Sequence, residues 1–349
     1  MSKVLVTGGN GFVAAQVIIA ILSLETPYSV VATVRDEIKG TQTKEALRSK
    51  LGDKVDNLSF AVVPDIEADD AFKAVMDNND FVAVLHTATP FHLRAKDPKE
   101  ITGPAIGSTK SILKTANGRA SIKRVIITSS FASIVDLPQG TRPGYKYTEK
   151  DWHPITWEKT HSGDPVDAYY GAKTWAERAA WDFVKEENPT FELITLCPPM
   201  VFGEVAQYIK SADQLNTSSA SLYNVLVGKD KEVSPQAVMI WVNVKDLAKA
   251  HALAIAAPGA GNHRFLIAGD QPYTNKEISD AFIKHFPEFA PKVPTKLPEG
   301  VDANGVPIGG RYTGDNSLSK QLLGMTYQNF EDTMVQFADS VKNLPATSA

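Results

Sequence analysis

Val4-Leu5-Val6-Thr7-Gly8-Gly9-Asn10-Gly11-Phe12-Val13-Ala14 reads as a short apolar strand, a glycine-rich turn and the start of an apolar helix. Gly8 permits the tight turn, Gly11 lets backbone amides approach a pyrophosphate, and Ala14 is small enough for the helix to pack on the strand. The first amides of a helix have no partner inside it and face a bound anion. Strand, turn and helix in this order predict a dinucleotide site, with Thr7, Gly8, Asn10, Gly11, Phe12 and Val13 as candidate cofactor-binding residues.

Outward from this turn, β-branched runs alternate with helical stretches over the first two hundred residues. The predicted strands are 3–7, 30–34, 59–63, 81–86, 124–128 and 192–197; the predicted helices between them are 12–24, 44–51, 69–77, 98–116 and 166–187. That alternation specifies parallel strands joined by crossover helices, an α/β doubly wound parallel sheet. Residues 1–202 are expected to form the dinucleotide-binding domain and 203–349 mainly a smaller C-terminal substrate-binding lobe. Later strands near 238–244 and 264–268 are expected to rejoin the sheet or to serve the lobe. A Pro- and Gly-rich stretch over 291–316 reads as surface loop, and helices over 318–323 and 330–341 close the chain.

The tip of the second strand reads Val34-Arg35-Asp36. An acidic residue there would bind the ribose hydroxyls of NAD, whereas an arginine can pair with the 2′-phosphate of NADP. Arg35 comes first and Lys39 lies a helical turn later, so NADPH is the expected cofactor. Asp65 and Ile66, after the third strand, could cradle the adenine, although an aspartate following Pro64 is equally a turn residue.

Asp164-Pro165 supplies a cap and a first-turn proline for a helix that carries Tyr169 and Lys173 on one face. A free phenol loses its proton only near pH about 10, and a neighbouring ammonium favours the phenolate. Lys173 is therefore expected to acidify Tyr169 enough for general acid catalysis. Thr128-Ser129-Ser130 falls where the fifth strand ends, at the edge of the sheet where open α/β folds bind ligands. Ser130 is the candidate to hydrogen-bond a substrate oxygen, with Ser129 capping the loop. Phe91, Phe131, Val166 and Tyr208 are expected to wall an apolar substrate pocket near Val201, and His86 is expected to be a satisfied strand-end histidine.

With these motifs in this order, the chain resembles the extended short-chain dehydrogenase/reductase family over nearly its whole length, closest to its fungal carbonyl and methylglyoxal reductases and plant dihydroflavonol reductases. Supporting stretches are Val62-Val63-Pro64-Asp65-Ile66, His86-Thr87-Ala88-Thr89-Pro90-Phe91, Pro198-Pro199-Met200-Val201-Phe202-Gly203 and the run 242–251. The resemblance implies a Rossmann fold with Ser130, Tyr169 and Lys173 as the catalytic triad, and Arg35 with Lys39 as the 2′-phosphate site. It also implies cofactor contacts from Thr87, Ala88, Pro198 and Val201, the segment 197–201 meeting the nicotinamide. The activity implied is NADPH-dependent reduction of aldehydes, ketones or 2-oxoaldehydes, with Tyr169 giving a proton to the oxygen. Ala14 stands for the commoner third glycine, Thr89 for a serine and Asn243 for an aspartate; none of these removes a catalytic atom. A hydroxysteroid dehydrogenase or sugar-nucleotide epimerase of the same fold, or a non-catalytic NADP-sensing regulator, are the alternatives. Arg35 disfavours the NAD-retaining epimerases, and the regulator would be expected to lack the tyrosine or the lysine.

Composition narrows the partners. A net charge of −4 gives no attraction to polyanions, so no nucleic acid is expected. The apolar run 12–24 is too short for a membrane helix, which needs about 20 residues, and only Lys3 precedes it where a signal peptide would be basic. One cysteine, Cys197, allows no intrachain disulfide, excludes a cysteine-based metal site and suits a reducing, cytoplasmic location. The expected partner is a small-molecule carbonyl substrate, with the chain a monomer or homodimer.

Overall fold

In a strand, successive side chains point to opposite faces, so a strand buried on both sides needs apolar residues without a break. β1 (Ser2–Thr7) meets that demand: Val4 and Val6 enter one core and Leu5 the other. The computed structural model describes residues 1–88 and 99–346. After β1 come α1 (Phe12–Leu22), β2 (Tyr28–Val34), α2 (Glu37–Leu51), β3 (Leu58–Val62), α3 (Lys73–Asp77), β4 (Phe81–His86), α4 (Lys99–Ala116) and β5 (Arg124–Thr128). The middle of the chain holds β6 (Lys146–Tyr147), α5 (Trp157–Thr160), α6 (Pro165–Glu187), β7 (Glu192–Cys197) and β8 (Met200–Phe202). The remainder holds α7 (Thr217–Leu226), β9 (Trp241–Asn243), α8 (Val244–Ala254), β10 (His263–Leu266), α9 (Asn275–His285), β11 (Thr313–Gly314), α10 (Ser317–Leu323) and α11 (Phe330–Val341).

The main sheet has the strand order β10-β7-β5-β4-β1-β2-β3, parallel throughout. The chain starts at β1, winds outward to β3, then returns to β4 on the other side of β1. That reversal opens a crevice above the carboxyl ends of β1 and β4, where such sheets bind ligands. α1, α8 and the end of α2 cover one face through Ile18, Ile21, Leu247 and Leu47; α4 and α6 cover the other through Ile112, Leu113, Ala180 and Phe183. A third core, with Phe202, Leu222, Phe282 and Phe337 around Trp241, belongs to α7, α9 and α11.

The two late strands part company. The 264–268 run supplies β10, which joins the main sheet beside β7. The 238–244 run does not: only Trp241–Asn243 is strand, and it pairs with the three-residue β8 in a separate sheet. α2 begins at Glu37 rather than 44, because Asp36 caps it by accepting from the Lys39 amide at 2.8 Å. The helix expected over 69–77 is regular only from Lys73.

Candidate active site

The glycine turn is fastened to both neighbouring strands. The Gly8 amide donates to Thr33 Oγ1 at 3.1 Å and the Gly9 amide to the Thr33 carbonyl at 2.8 Å. On the other side the Ala88 amide donates to Thr7 Oγ1 at 3.1 Å, and Thr87 Oγ1 donates to the Thr7 carbonyl at 2.5 Å. Gly8 has a φ of +70°, and a Cβ there would meet the Ala88 Cβ at 3.0 Å; at Gly9 it would meet the Ala32 Cβ at 2.6 Å. The turn must therefore be backbone alone. Gly11, the N-cap of α1, offers no side chain to the first-turn amides, which leaves them to an incoming anion.

Above this turn lies a cleft of about 580 Å³, lined by Gly8, Asn10, Gly11, Thr33, Val34, Arg35, Lys39, Val63, Ile66, Thr87, Ala88 and Gln214. The turn, the strand tip and the loops after β3 and β4 thus meet in one place. Arg35 and Lys39 are exposed at its end, while the Asp36 carboxylate is turned to its own helix amide. An adjoining cavity of about 290 Å³ shares Asn10, Lys39 and Gln214 and adds Tyr208 and Lys210. Tyr208 therefore borders the Lys39 end of the cleft rather than the expected substrate pocket, because the chain after β8 folds back across α2. Lys210 and Gln214 were not singled out from the sequence; they lie in an irregular segment with no motif around them.

The carboxyl end of β5 and the first turns of α6 carry the candidate reacting groups. Ser130 caps a short turn, accepting from the Ala132 amide at 3.1 Å, and its hydroxyl is near enough to the Tyr169 phenol to favour the phenolate. Asp164 holds the start of α6 by accepting from the amides of Val166 at 2.7 Å and Asp167 at 3.2 Å, which fixes Tyr169 and Lys173 one turn apart. Burial raises the Tyr169 phenol above its ordinary value, and the neighbouring Ser130 hydroxyl pulls the other way without prevailing. Burial also loosens the Lys173 proton, to about 8, against the opposing charge of Glu177. The expected acidification of Tyr169 by Lys173 is thus not seen in the chain alone: burial sets the direction and the opposing group is Ser130, not Lys173. His86, beneath Lys173, is kept neutral: burial brings it to about 3, and its Nδ1 lies 3.0 Å from Thr7 Oγ1. Its Nε2 has no hydrogen-bond partner among the described residues, so His86 is only half satisfied.

Under Ser130 runs a buried polar network that sequence reading missed. Ser129 donates to Glu177 Oε2 at 2.6 Å, and Arg264 Nε lies 2.7 Å from Glu177 Oε1. Cys197, fully buried, points its thiol at the same carboxylate at 3.6 Å, and burial pushes that thiol up to about 12. The sequence separates Glu177 from Arg264 by 87 positions, so no local spacing signals the pair.

Other candidates fall in varied places. Asp65 lies off the cleft and accepts from the Glu67 amide at 2.8 Å, the turn role that competed with adenine binding. Thr7 is fully buried and supports the turn with its hydroxyl rather than presenting it. The Phe12 side chain is buried and Val13 is partly buried, so these two can offer the cleft only backbone. Phe131 is a core residue instead of a pocket wall: it is 2% exposed and packs edge-on against Tyr147 at 5.4 Å. Val166 is exposed one turn before Tyr169. The Pro198 carbonyl accepts from the Phe131 amide at 2.8 Å, tying its loop to the Ser130 turn, and the Val201 carbonyl accepts from Ser218. Phe91 and Thr89 lie outside the described residues.

Residues 4–268 match the model of the NAD dependent epimerase/dehydratase family. The ketoreductase azaE of Aspergillus niger is 38% identical, over 94% of this chain and 94% of that protein. A putative NADPH-dependent methylglyoxal reductase of Candida albicans, GRP2, is 34% identical over 95% of this chain and 96% of its own length. Among solved structures, the yeast methylglyoxal/isovaleraldehyde reductase Gre2, complexed with NADPH, superposes with a TM-score of 0.84 at 32% identity, covering 97% of this chain and 98% of that one. These matches run over nearly the whole chain: it belongs to the NAD dependent epimerase/dehydratase family, within the extended short-chain dehydrogenases/reductases.

Proposed function

We propose that this chain reduces aldehydes, ketones or 2-oxoaldehydes to alcohols with NADPH. The observation that carries the reading is the gathering of Ser130, just past the end of β5, with Tyr169 and Lys173 one turn apart on α6, at the same carboxyl edge of the sheet as the glycine-lined cleft. The cleft fits a dinucleotide because its floor is backbone that admits no Cβ, its helix amides are uncapped and its far end is cationic. Gly8, Gly11 and the first turn of α1 would hold the pyrophosphate, and Arg35 with Lys39 the 2′-phosphate. Bound NADPH supplies the hydride. Ser130 orients and polarises the substrate oxygen, Tyr169 holds the proton destined for it, and Lys173 places a positive charge beside the cofactor ribose and the phenol.

The activities for which the relatives are named, ketoreductase and methylglyoxal reductase, support this reading. Among the described residues no helix is long and apolar enough to cross a membrane. We place the chain in the cytoplasm, as a monomer or homodimer, where a single buried thiol needs no oxidised partner. Purified protein is expected to oxidise NADPH when given a panel of aldehydes, ketones and 2-oxoaldehydes, and Tyr169→Phe to lower turnover by about 10²–10⁴-fold. Nucleotide binding, followed by NADPH fluorescence, should persist in that variant. Absence of NADPH and NADH oxidation with every carbonyl compound would overturn the reading.

A further inference from the structure

Glu177 lies on α6 one turn beyond Lys173, with a side chain 1% exposed. A carboxylate at that depth is strongly unfavourable unless it is paired and hydrogen-bonded. Here its acceptor sites are filled. Oε1 accepts from Thr195 Oγ1 at 2.7 Å and from Arg264 Nε at 2.7 Å, and Oε2 accepts from Ser129 Oγ at 2.6 Å, from Arg264 Nη2 at 3.1 Å and from the Ser133 hydroxyl. Arg264 is held in turn: its Nη2 donates to the Ser133 carbonyl at 3.1 Å, its Nη1 to the Glu149 carbonyl at 2.9 Å, and the Trp152 ring lies 3.7 Å from its guanidinium centre.

The partners' places in the fold give the network its meaning. Ser129 and Ser133 bracket the turn that carries Ser130, Glu177 shares α6 with Tyr169 and Lys173, and Thr195 and Arg264 come from β7 and β10. We propose that Glu177 and Arg264 are positioning residues for the reduction: their buried pair clamps the Ser130 turn to α6, so that the Ser130 hydroxyl meets the Tyr169 phenol within reach of Lys173. The inference rests on the assignment of those three residues as the reacting groups. A pair that served stability alone would be replaceable by apolar packing; a clamp on two reacting groups would not. The titratable and charged groups facing Glu177 are Arg264 from β10, Cys197 from β7 and Lys173 from its own helix, and Lys173 also faces His86 from β4. The Glu177 carboxylate holds the Lys173 proton against burial, so its loss should loosen that proton further.

The test uses the full chain with NADPH and the best carbonyl substrate. Glu177→Gln is expected to lower kcat by about 10²-fold, the scale of a misplaced reacting group, with NADPH affinity unchanged and the alkaline limb of the pH profile moved to lower pH. Ser133→Ala, a milder change that keeps the ion pair, is expected to lower kcat several-fold with wild-type NADPH affinity and an unmoved limb. Wild-type kcat and pH profile in Glu177→Gln would overturn the proposal; if that variant does not fold, wild-type kcat in Ser133→Ala would overturn it. Tyr169→Phe separates the two claims. Full activity there removes the underlying site assignment, whereas an inactive Tyr169→Phe beside a fully active Glu177→Gln removes only the clamp.

Discussion

On α6 the Lys173 ammonium, whose proton burial loosens to about 8, stands between Tyr169, the proposed proton donor, and the buried Glu177 carboxylate. Below that pH Lys173 is charged; above it the charge is lost. kcat/KM for carbonyl reduction, which reports the free enzyme, is therefore expected to be level through neutrality and to fall as pH rises through about 8. A limb above the ordinary phenol range would instead point to Tyr169. At the far end of the cleft, Arg35→Ala should weaken NADPH by about 10–100-fold, the worth of charge-assisted hydrogen bonds to a phosphate, and leave NADH almost untouched. Equilibrium titration with both nucleotides checks this. These residues were legible because each belongs to a local pattern: a strand tip, a helix face, a run of hydroxyls at a sheet edge. Glu177 with Arg264 was not, since what joins them is the adjacency of β7 and β10 rather than any spacing. Phe131 and Tyr208 failed for a related reason. Nearness to a motif in sequence fixes neither the direction of a side chain nor the path of a loop.

Helix α6 shows how much of an element the sequence can specify. Its cap, its first-turn proline and its end within 187 all follow from local chemistry, and the strands at 81–86, 124–128 and 192–197 follow from β-branched runs. The run over 238–244 is equally apolar, yet a strand extends only as far as its partner, and β8 offers three residues. What sequence cannot show in α6 is its fit to α5. A Cβ on Gly171 would lie 2.2 Å from Thr160 Oγ1 and 2.3 Å from Thr160 Cγ2, so the two helices touch through this glycine. Gly171→Ala is accordingly expected to destabilise the fold by about 1–3 kcal/mol in urea denaturation, despite alanine's better helix propensity. Because Gly171 lies between Tyr169 and Lys173, turnover should fall with it.

For the molecule as a whole, the division near 202 describes where the motifs lie better than how the cores are shared. The later chain supplies β10 to the main sheet, α8 against α1, and Leu323 and Met325 to the same core. Glu204 adds an ionic tie, meeting Lys245 at 2.8 Å and also Lys50. A fragment ending at Phe202 would leave the buried face of β7 open and should show no cooperative transition by circular dichroism, while the full chain unfolds in a single one. The sequence left open whether the runs at 238–244 and 264–268 would rejoin the main sheet or serve the lobe, because a β-rich run gives no sign of which sheet edge will accept it.

The lone thiol of Cys197 acquires a use from its location. Sealed beneath the catalytic floor and reluctant to ionise, it is shielded from alkylating dyes as long as the Glu177 network stays closed. The chain therefore carries a built-in clock: the rate at which such a dye consumes its single thiol records how often that floor opens, and a cysteine engineered onto the surface would accept a fluorophore without competition from within.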